Sequence, residues 1–158
     1  MERGTTLFLK ATVFLMGIPI VALCIFGLPA VVGEAADIYP AWMYVPIIVA
    51  MYASAIPFFA ALYQAFKLLK YIDRNQAFSE LSVRALKLVK YCAFAIAVLY
   101  TSALPFVYFI ADRDDAPGLA VLGMVVPFAS VVIGVFAAVL QKLLQNAIDI
   151  KAENDLTV

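Results

Sequence analysis

The chain has 158 residues, of which 66% are apolar and 14% are charged, and its formal net charge is zero. Soluble domains are about 45–50% apolar and about 25% charged. A water-soluble fold is excluded, because apolar surface left in water costs about 25 cal/mol per Å². The chain contains no histidine, which also excludes histidine-based acid–base catalysis and histidine metal ligands.

Four uncharged runs predict four membrane-spanning helices in one domain. Each run exceeds the ~20 residues that cross about 30 Å of hydrocarbon, and lipid offers the backbone no hydrogen bonds except those within a helix. We therefore predict an all-α, polytopic membrane protein with helical extensions on its cytoplasmic side. The predicted segments are spans at about 11–33, 42–66, 91–111 and 117–140, a cytoplasmic loop at 67–90 and a cytoplasmic tail at 141–158.

The first run is interpreted as a retained helix and not as a signal peptide. Gly33 and Ala35 have the spacing of a cleavage site. The run is nevertheless 23 residues long, more than the usual apolar region of a signal peptide. Cys24 and Cys92 lie in or beside different spans, so both are expected to be packing residues and not a disulfide pair.

Each predicted span contains an interior proline, which frees a backbone carbonyl and bends a helix. These prolines are candidate hinges: Pro19, Pro57, Pro105 and Pro127. Two interpretations remain open. The prolines either mark a hinge or cavity at mid-membrane, or they are the ordinary kinks of transmembrane helices.

The segment between the second and third spans predicts a helix end followed by a helix start. Asn75 suits a left-handed turn, and Ser79 is a predicted N-cap before Glu80. An apolar stripe on the third helix is predicted to pack on a matching stripe of the fourth. The two stripes are Leu81, Ala85, Leu88 and Cys92, and Leu140, Leu143, Leu144, Ala147 and Ile148. The alternative places either segment on the membrane surface as an interfacial helix.

The charges predict the orientation of the protein. Ten of the eleven basic residues lie in the N-terminal segment, the middle loop and the tail. The connection between the first and second spans and that between the third and fourth carry five acids and only Arg113 as a base. Because basic residues favour the cytoplasmic side, both termini and the middle loop are expected in the cytoplasm.

Two segments outside the spans are candidate partner-binding surfaces. The first is a basic face of Lys67, Lys70 and Arg74, which suits either anionic lipid headgroups or an acidic protein. The second is the tail, with candidate residues Glu153, Asn154, Asp155, Leu156 and Val158. An extended tail can add a strand to a partner's sheet, and the alternative is a frayed terminus.

No catalytic, cofactor or metal site is predicted. No acid or base lies inside a predicted span, so the buried proton relay of a pump is not expected. Asp112, Asp114 and Asp115 lack the spacing of a calcium loop, and Asp115 is predicted to cap the fourth helix. The chain is therefore expected to be no enzyme and to contact no nucleic acid directly.

Three segments carry a family resemblance: "LLKYID", "FSELSVRALKLVKYC" and the terminal "AIDIKAENDLTV". Through them the sequence resembles a family of bacterial membrane proteins, domain-of-unknown-function family 2975. The resemblance implies four transmembrane helices in a bacterial inner membrane and no established activity. It also implies a regulatory partnership with a small helix-turn-helix regulator, because genes of this family commonly lie beside a gene for one.

The expected function is that of a non-enzymatic regulatory or scaffolding protein in the inner membrane. Its expected partners are the lipid bilayer and a cytoplasmic protein such as the helix-turn-helix regulator, and a homo-oligomer is a further candidate. The alternative function is a small transporter or export subunit for an apolar molecule. An enclosed polar cavity would favour transport, and an apolar groove on the cytoplasmic extension would favour binding.

Overall fold

A computed structural model describes residues 3–157, with the side chains of residues 4–156. All regular structure in this part of the chain is helical. The elements are α1 (Arg3–Ala22), a π-helical segment (Leu23–Gly27), α2 (Leu28–Ile38), α3 (Ala41–Asp73), α4 (Glu80–Arg113) and α5 (Pro117–Thr157). The first three run on from one another without a break and are together called the first span.

Four of the described helical stretches are long and apolar enough to cross a bilayer: Gly4–Ile38, Ala41–Asp73, Glu80–Arg113 and Pro117–Leu156. The predicted all-α membrane fold is confirmed. Each helix continues beyond the uncharged run that predicted it, because charged and amphipathic residues on either side keep helical spacing. The segments predicted as a loop at 67–90 and a tail at 141–158 are consequently mostly helical.

Contacts between distant residues define two ends of the molecule. Lys10 Nζ donates to Asp73 Oδ2 at 2.7 Å, and Gln145 Nε2 donates to Glu80 Oε1 at 3.2 Å. These contacts bring the start of the first span, the turn 74–79 and the extension of α5 to one end, called the basic end. The turns at 39–40 and 114–116 lie at the opposite end, called the acidic end.

The turns after α3 and α4 have the same backbone geometry. The amide of Gln76 donates to the Tyr71 carbonyl at 2.7 Å, and the amide of Ala116 donates to the Ala111 carbonyl at 2.8 Å. Asn75 and Asp115 have φ angles of 58° and 53°. This is the Schellman ending of a helix. The left-handed turn predicted at Asn75 is confirmed, whereas Asp115 ends α4 and does not cap the helix that begins at Pro117.

Helix α4 is the centre of the fold, because it packs along both α3 and α5. Its buried positions are mostly small: Ser82, Ala85, Ala93, Ala97, Ala103 and Ala111. Small residues let helix backbones approach closely where lipid provides no hydrophobic drive for association. The ring of Phe94 on α4 fills the space beside Gly134 on α5. A Cβ added at Gly134 would lie 2.9 Å from that ring.

The predicted start of α4 is correct in position but not in mechanism. Ser79 has an extended backbone before Glu80, yet its hydroxyl makes no capping bond to the helix. It donates instead to the Gln76 carbonyl at 2.6 Å, which also accepts the Ser82 hydroxyl at 3.1 Å. The predicted side-chain cap is therefore wrong, and both serines close the turn.

The predicted stripe on α4 is only partly buried. Ala85 is buried, whereas Leu81 and Leu88 are exposed. The buried face includes Ser82 and Val83 instead, because α4 contacts a helix on two sides. Helix α5 continues without interruption to Thr157 and contacts α4 beyond the predicted span. The extension of α5 is therefore packed on α4 and does not form a separate interfacial helix.

Candidate functional site

An apolar groove of about 380 Å³ lies at the basic end, beyond the predicted hydrocarbon region. We call it the basic-end groove. It is lined from α3, the turn after it, α4 and α5 by Leu68, Ile72, Ala77, Phe78, Leu86, Leu140, Leu143, Leu144 and Ala147. From the sequence, an apolar groove on the helical extension is the feature expected to favour protein binding over transport. The basic-end groove lies at that position.

Local sequence patterns build the two walls of this groove. On α5, Leu140, Leu143, Leu144 and Ala147 recur at the spacing of one helical face. The Schellman turn after Asp73 reverses the chain, and this reversal brings Phe78 over the gap between the helices. Phe78 is 60% exposed and Leu143 is 59% exposed, so the groove presents large apolar side chains.

Polar contacts flank the groove on the α4–α5 side. Gln145 Nε2 donates to Glu80 Oε1 and to Asp149 Oδ1, both at 3.2 Å. The bond to Glu80 joins the extension of α5 to the first turn of α4, whereas the bond to Asp149 lies within α5.

The candidate basic face lies beside the basic-end groove and not in its lining. Lys67 Nζ sits 5.4 Å from the Tyr63 ring centroid, and Lys70 Nζ sits 5.5 Å from the Phe66 ring centroid. Arg74 is exposed at the C-cap of α3. Both rings belong to α3 and also line a groove between α3 and the first span, whereas Arg74 lies at the turn.

The tail is helical in the structure, in contrast to the extended strand considered from the sequence. Glu153, Asn154, Asp155 and Leu156 lie on the last turns of α5, and all four are exposed. Leu156 is 86% exposed, so it covers none of the protein's own apolar surface. Val158 lies outside the described residues.

The four candidate hinge prolines lie within continuous helices. Pro127 is buried, whereas Pro19 and Pro105 are exposed. The only π-helical segment in residues 3–157 precedes a different proline, Pro29. π-helical turns inside longer helices often occur at functional sites.

The π-helical segment leaves one backbone carbonyl for another helix. The amide of Leu28 donates to Leu23, five residues back, and Pro29 has no amide hydrogen. The Cys24 carbonyl therefore loses both of its nearby backbone donors. The hydroxyl of Tyr52 on α3 donates to it at 2.9 Å. Sequence reasoning missed this contact, although the run Gly27-Leu28-Pro29 signals an interrupted helix.

Sequence reasoning also missed the ion pair of Lys10 with Asp73. Both side chains are about one-quarter exposed or less, and the carboxylate oxygen lies 2.7 Å from the ammonium nitrogen. Lys10 Nζ is also 5.7 Å from the Phe66 ring centroid. This pair anchors the first span to the end of α3, and the register between two helices is not readable from either one alone.

At the acidic end an aromatic cluster joins the two turns. The Tyr39 hydroxyl donates to Asp114, and the Arg113 guanidinium lies 5.5 Å from the Tyr39 ring centroid. Trp42 packs edge-on against Phe109 at 5.6 Å. The hydrogen bond to the Asp114 carboxylate raises the pKa of Tyr39, with smaller contributions from desolvation and from the charge of Asp114.

The chain is similar to known proteins, and this similarity identifies its family. The family model described as "Protein of unknown function (DUF2975)" matches residues 30–158. The chain belongs to the DUF2975 family. It is also 58% identical, over 160 aligned positions and the full length of both chains, to the "Uncharacterized membrane protein YoaS" of Bacillus subtilis (strain 168). No solved structure matches it.

Membership in DUF2975 confirms the resemblance drawn from the sequence, and the four apolar helices together with the membrane-protein relative identify an integral membrane protein. The matched region begins within α2, so it contains α3, α4 and α5 completely. Every residue of the basic-end groove therefore belongs to the part of the chain that matches DUF2975. Most of the first span, including the π-helical segment, precedes it.

Proposed function

We propose that this DUF2975 protein is a non-enzymatic regulatory or scaffolding protein of the bacterial inner membrane, which holds a cytoplasmic protein at its basic end. The observation that supports this proposal is the basic-end groove. Its lining continues past the predicted ends of the spans at Phe66 and Leu140. Large apolar side chains outside the hydrocarbon core mark an interaction surface.

The dimensions of the groove suit one amphipathic helix. The α5 wall from Leu140 to Ala147 is about 10 Å long, which corresponds to about two helical turns. A helix that places apolar residues at i, i+3 or i+4, and i+7 fills a groove of this length. The small helix-turn-helix regulator that the family resemblance implies is built of such helices, so it is the proposed partner.

Two exposed bases close to the groove would pair with acidic residues of a partner. Arg74 and Lys142 are exposed close in sequence to the groove, and the exposed tail adds Leu156 as an apolar contact. Exposed ion pairs are worth roughly 0–1 kcal/mol each, so the charges would set the encounter rate and orientation. The affinity would come from the apolar anchors, at about 1.5–3 kcal/mol for a fully buried side chain.

This proposal requires the basic end to face the cytoplasm. Ten of the eleven basic residues support that orientation, with both termini inside. A reporter that is active only outside the cytoplasm is expected to be silent when fused after Val158 and active when inserted at Asp114. The opposite pattern contradicts both the orientation and the cytoplasmic partner.

Charged substitutions in the groove test the binding site itself. Phe78→Asp combined with Leu143→Asp places two carboxylates on the proposed contact surface. We expect the regulator to be lost from protein purified out of native membranes, since each anchor is worth about 10- to 100-fold in Kd. Leu81→Asp is the matched control, because Leu81 is 45% exposed at the same end and does not line the groove.

Deletion of Glu153–Val158 tests the contribution of the tail separately. We expect less regulator to co-purify, with an unchanged amount of protein in the membrane. If the groove variant and the tail deletion both recover the regulator at the level of the unmodified protein, the proposal is wrong. The transport alternative then becomes the better hypothesis.

A further inference from the structure

A second apolar groove lies between the first span and α3, separate from the proposed partner site. Its volume is about 620 Å³, and we call it the first-span groove. Phe14, Ile18 and Phe26 line it from the first span, and Phe59 and Tyr63 line it from α3. All of these residues lie in predicted spans, so the groove opens at the depth of lipid and not of water.

Three ammonium groups stand at the end of this groove nearest the basic end. Lys10 Nζ and Lys70 Nζ lie 5.7 Å and 5.5 Å from the centroid of the Phe66 ring, which lines the groove. Lys67 Nζ lies 5.4 Å from the centroid of Tyr63. Asp73 is the carboxylate paired with Lys10, so these four charges sum to +2.

The groove is slightly longer than one leaflet of a bilayer. From Val13 to Phe26 the first span rises about 20 Å, whereas half of the hydrocarbon core is about 15 Å thick. The Tyr52–Cys24 hydrogen bond joins the two helices near the deep end, beside the lining residues Ile25 and Phe26. The groove thus runs from the lysines to mid-membrane.

We propose that the first-span groove binds one anionic phospholipid. The phosphate lies among Lys10, Lys67 and Lys70, and one acyl chain lies along the groove towards the Tyr52–Cys24 contact. This inference does not depend on the proposed partner at the basic-end groove.

The positive charge at the basic end of the first-span groove favours an anionic phospholipid over a zwitterionic lipid, a second copy of the chain or an uncharged apolar molecule. Excess positive charge attracts a phosphate and disfavours the additional cationic group of a zwitterionic headgroup. A second copy in the same orientation would bring its own basic end to the same depth, and like charges repel. An uncharged apolar molecule would leave the three ammonium groups without a role in binding.

Native mass spectrometry of the full-length protein in mild detergent tests the headgroup site. The protein is titrated with phosphatidylglycerol and with phosphatidylcholine of the same acyl chains. We expect one phosphatidylglycerol to bind in clear preference. Lys67→Gln with Lys70→Gln is expected to weaken it roughly 10- to 30-fold. Lys10 is left intact in this variant, because its ion pair with Asp73 joins two helices.

The matched control removes the same charge at the same end of the protein. Lys87 and Lys90 also lie over an aromatic ring, that of Tyr91, but they are not at the first-span groove. Lys87→Gln with Lys90→Gln is expected to leave phosphatidylglycerol binding unchanged. An equal loss in both double variants would show general charge attraction and overturn the proposal.

A second pair of variants tests the acyl-chain site without altering charge. Val21→Trp fills the groove from a lining position, and Leu15→Trp adds the same bulk at an exposed position of the same span that does not line it. We expect Val21→Trp to reduce phosphatidylglycerol binding about tenfold or more and Leu15→Trp to leave it unchanged.

Three other results would also overturn the proposal. One is equal binding of the two lipids by the unmodified protein. Another is full competition by glycerol phosphate, which would show that the headgroup binds without the chain. The last is a dimer that Val21→Trp dissociates, which would show that a second copy occupies the groove.

Discussion

The first span and α5, the two outer helical elements, differ in how closely they pack against their neighbours. α5 packs along α4 with Gly123 and Gly134 at the contact, and a Cβ at Gly134 would lie 2.9 Å from Phe94. The first span meets α3 with Gly17 at the contact, where an added Cβ would lie 3.4 Å from Leu62. The first contact is closed, whereas the second encloses a groove of about 620 Å³.

The difference shows how residue size controls the closeness of two membrane helices, since lipid provides no hydrophobic drive for one helix contact over another. Alanine and glycine at the α4 interfaces let backbones approach until side chains interlock. Phe14, Phe59 and Phe66 hold the first span and α3 apart, and specific polar contacts fasten them instead. These contacts are the Lys10–Asp73 ion pair and the Tyr52–Cys24 hydrogen bond.

Alanine substitutions at Gly134 and Gly17 test this comparison most strongly. Gly134→Ala should destabilise the protein by up to about 2 kcal/mol, because moving the Phe94 ring costs about 1–3 kcal/mol and the gain of alanine in a helix returns about 1 kcal/mol. Gly17→Ala should be neutral or stabilise by up to about 1 kcal/mol, since the added methyl meets ordinary contacts and alanine favours helix. Unfolding in mixed micelles, followed by circular dichroism, measures both. Equal effects would show that the interfaces do not differ in closeness.

A smaller effect is expected at the hydrogen bond between the first span and α3. Tyr52→Phe should cost about 0.6 kcal/mol, the average measured for such bonds in a membrane protein, and at most about 1.7 kcal/mol. With Pro29→Ala the cost should fall towards zero, because an amide at position 29 can donate to the Cys24 carbonyl. A double-mutant cycle measures this coupling.

Tyr63→Phe is the control for this cycle, since it removes a hydroxyl from the same helix without removing that bond. If Tyr52→Phe costs the same with and without Pro29, the carbonyl does not depend on Tyr52 in the way described.

The smallest effect concerns the acidic end, where Tyr39 joins the turn after the first span to Asp114. The raised pKa of Tyr39 means that its contribution to stability is complete below the usual value of about 10 and is lost as pH rises through the folded value. The difference in tyrosinate absorbance between the unmodified protein and Tyr39→Phe should show late ionisation. Asp114→Asn should lower that pKa, whereas Asp112→Asn should leave it nearly unchanged.

Hydropathy predicted the four spans because their length and lack of charge are properties of each segment alone. It did not predict which face of α4 is buried. Leu81 and Leu88 are as apolar as a core residue but are exposed, while Ser82 is fully buried. Helix α4 contacts helices on two sides, and close approach of helix backbones selects small residues, so small residues indicate its buried face better than apolar periodicity does.

The contacts of the candidate sites were less predictable for a different reason. Lys67 and Lys70 were found from their spacing on one helix. Their grouping with Lys10 depends on how the first span aligns with α3, and that alignment depends on Phe14, Phe66 and Asp73 together. The basic-end groove likewise requires four segments that meet only in the folded chain.

The length of α5 has a mechanical consequence. Its 41 residues form one uninterrupted helix of about 60 Å, of which about 30 Å is needed to cross the hydrocarbon. Part of the remainder packs on α4, where Gln145 bonds to Glu80, and the last turns beyond it carry Leu156. A change in tilt of about 10°, well within the range of membrane helices, would swing these last turns by about 5 Å. The length of α5 therefore couples its tilt in the bilayer to the position of its exposed last turns.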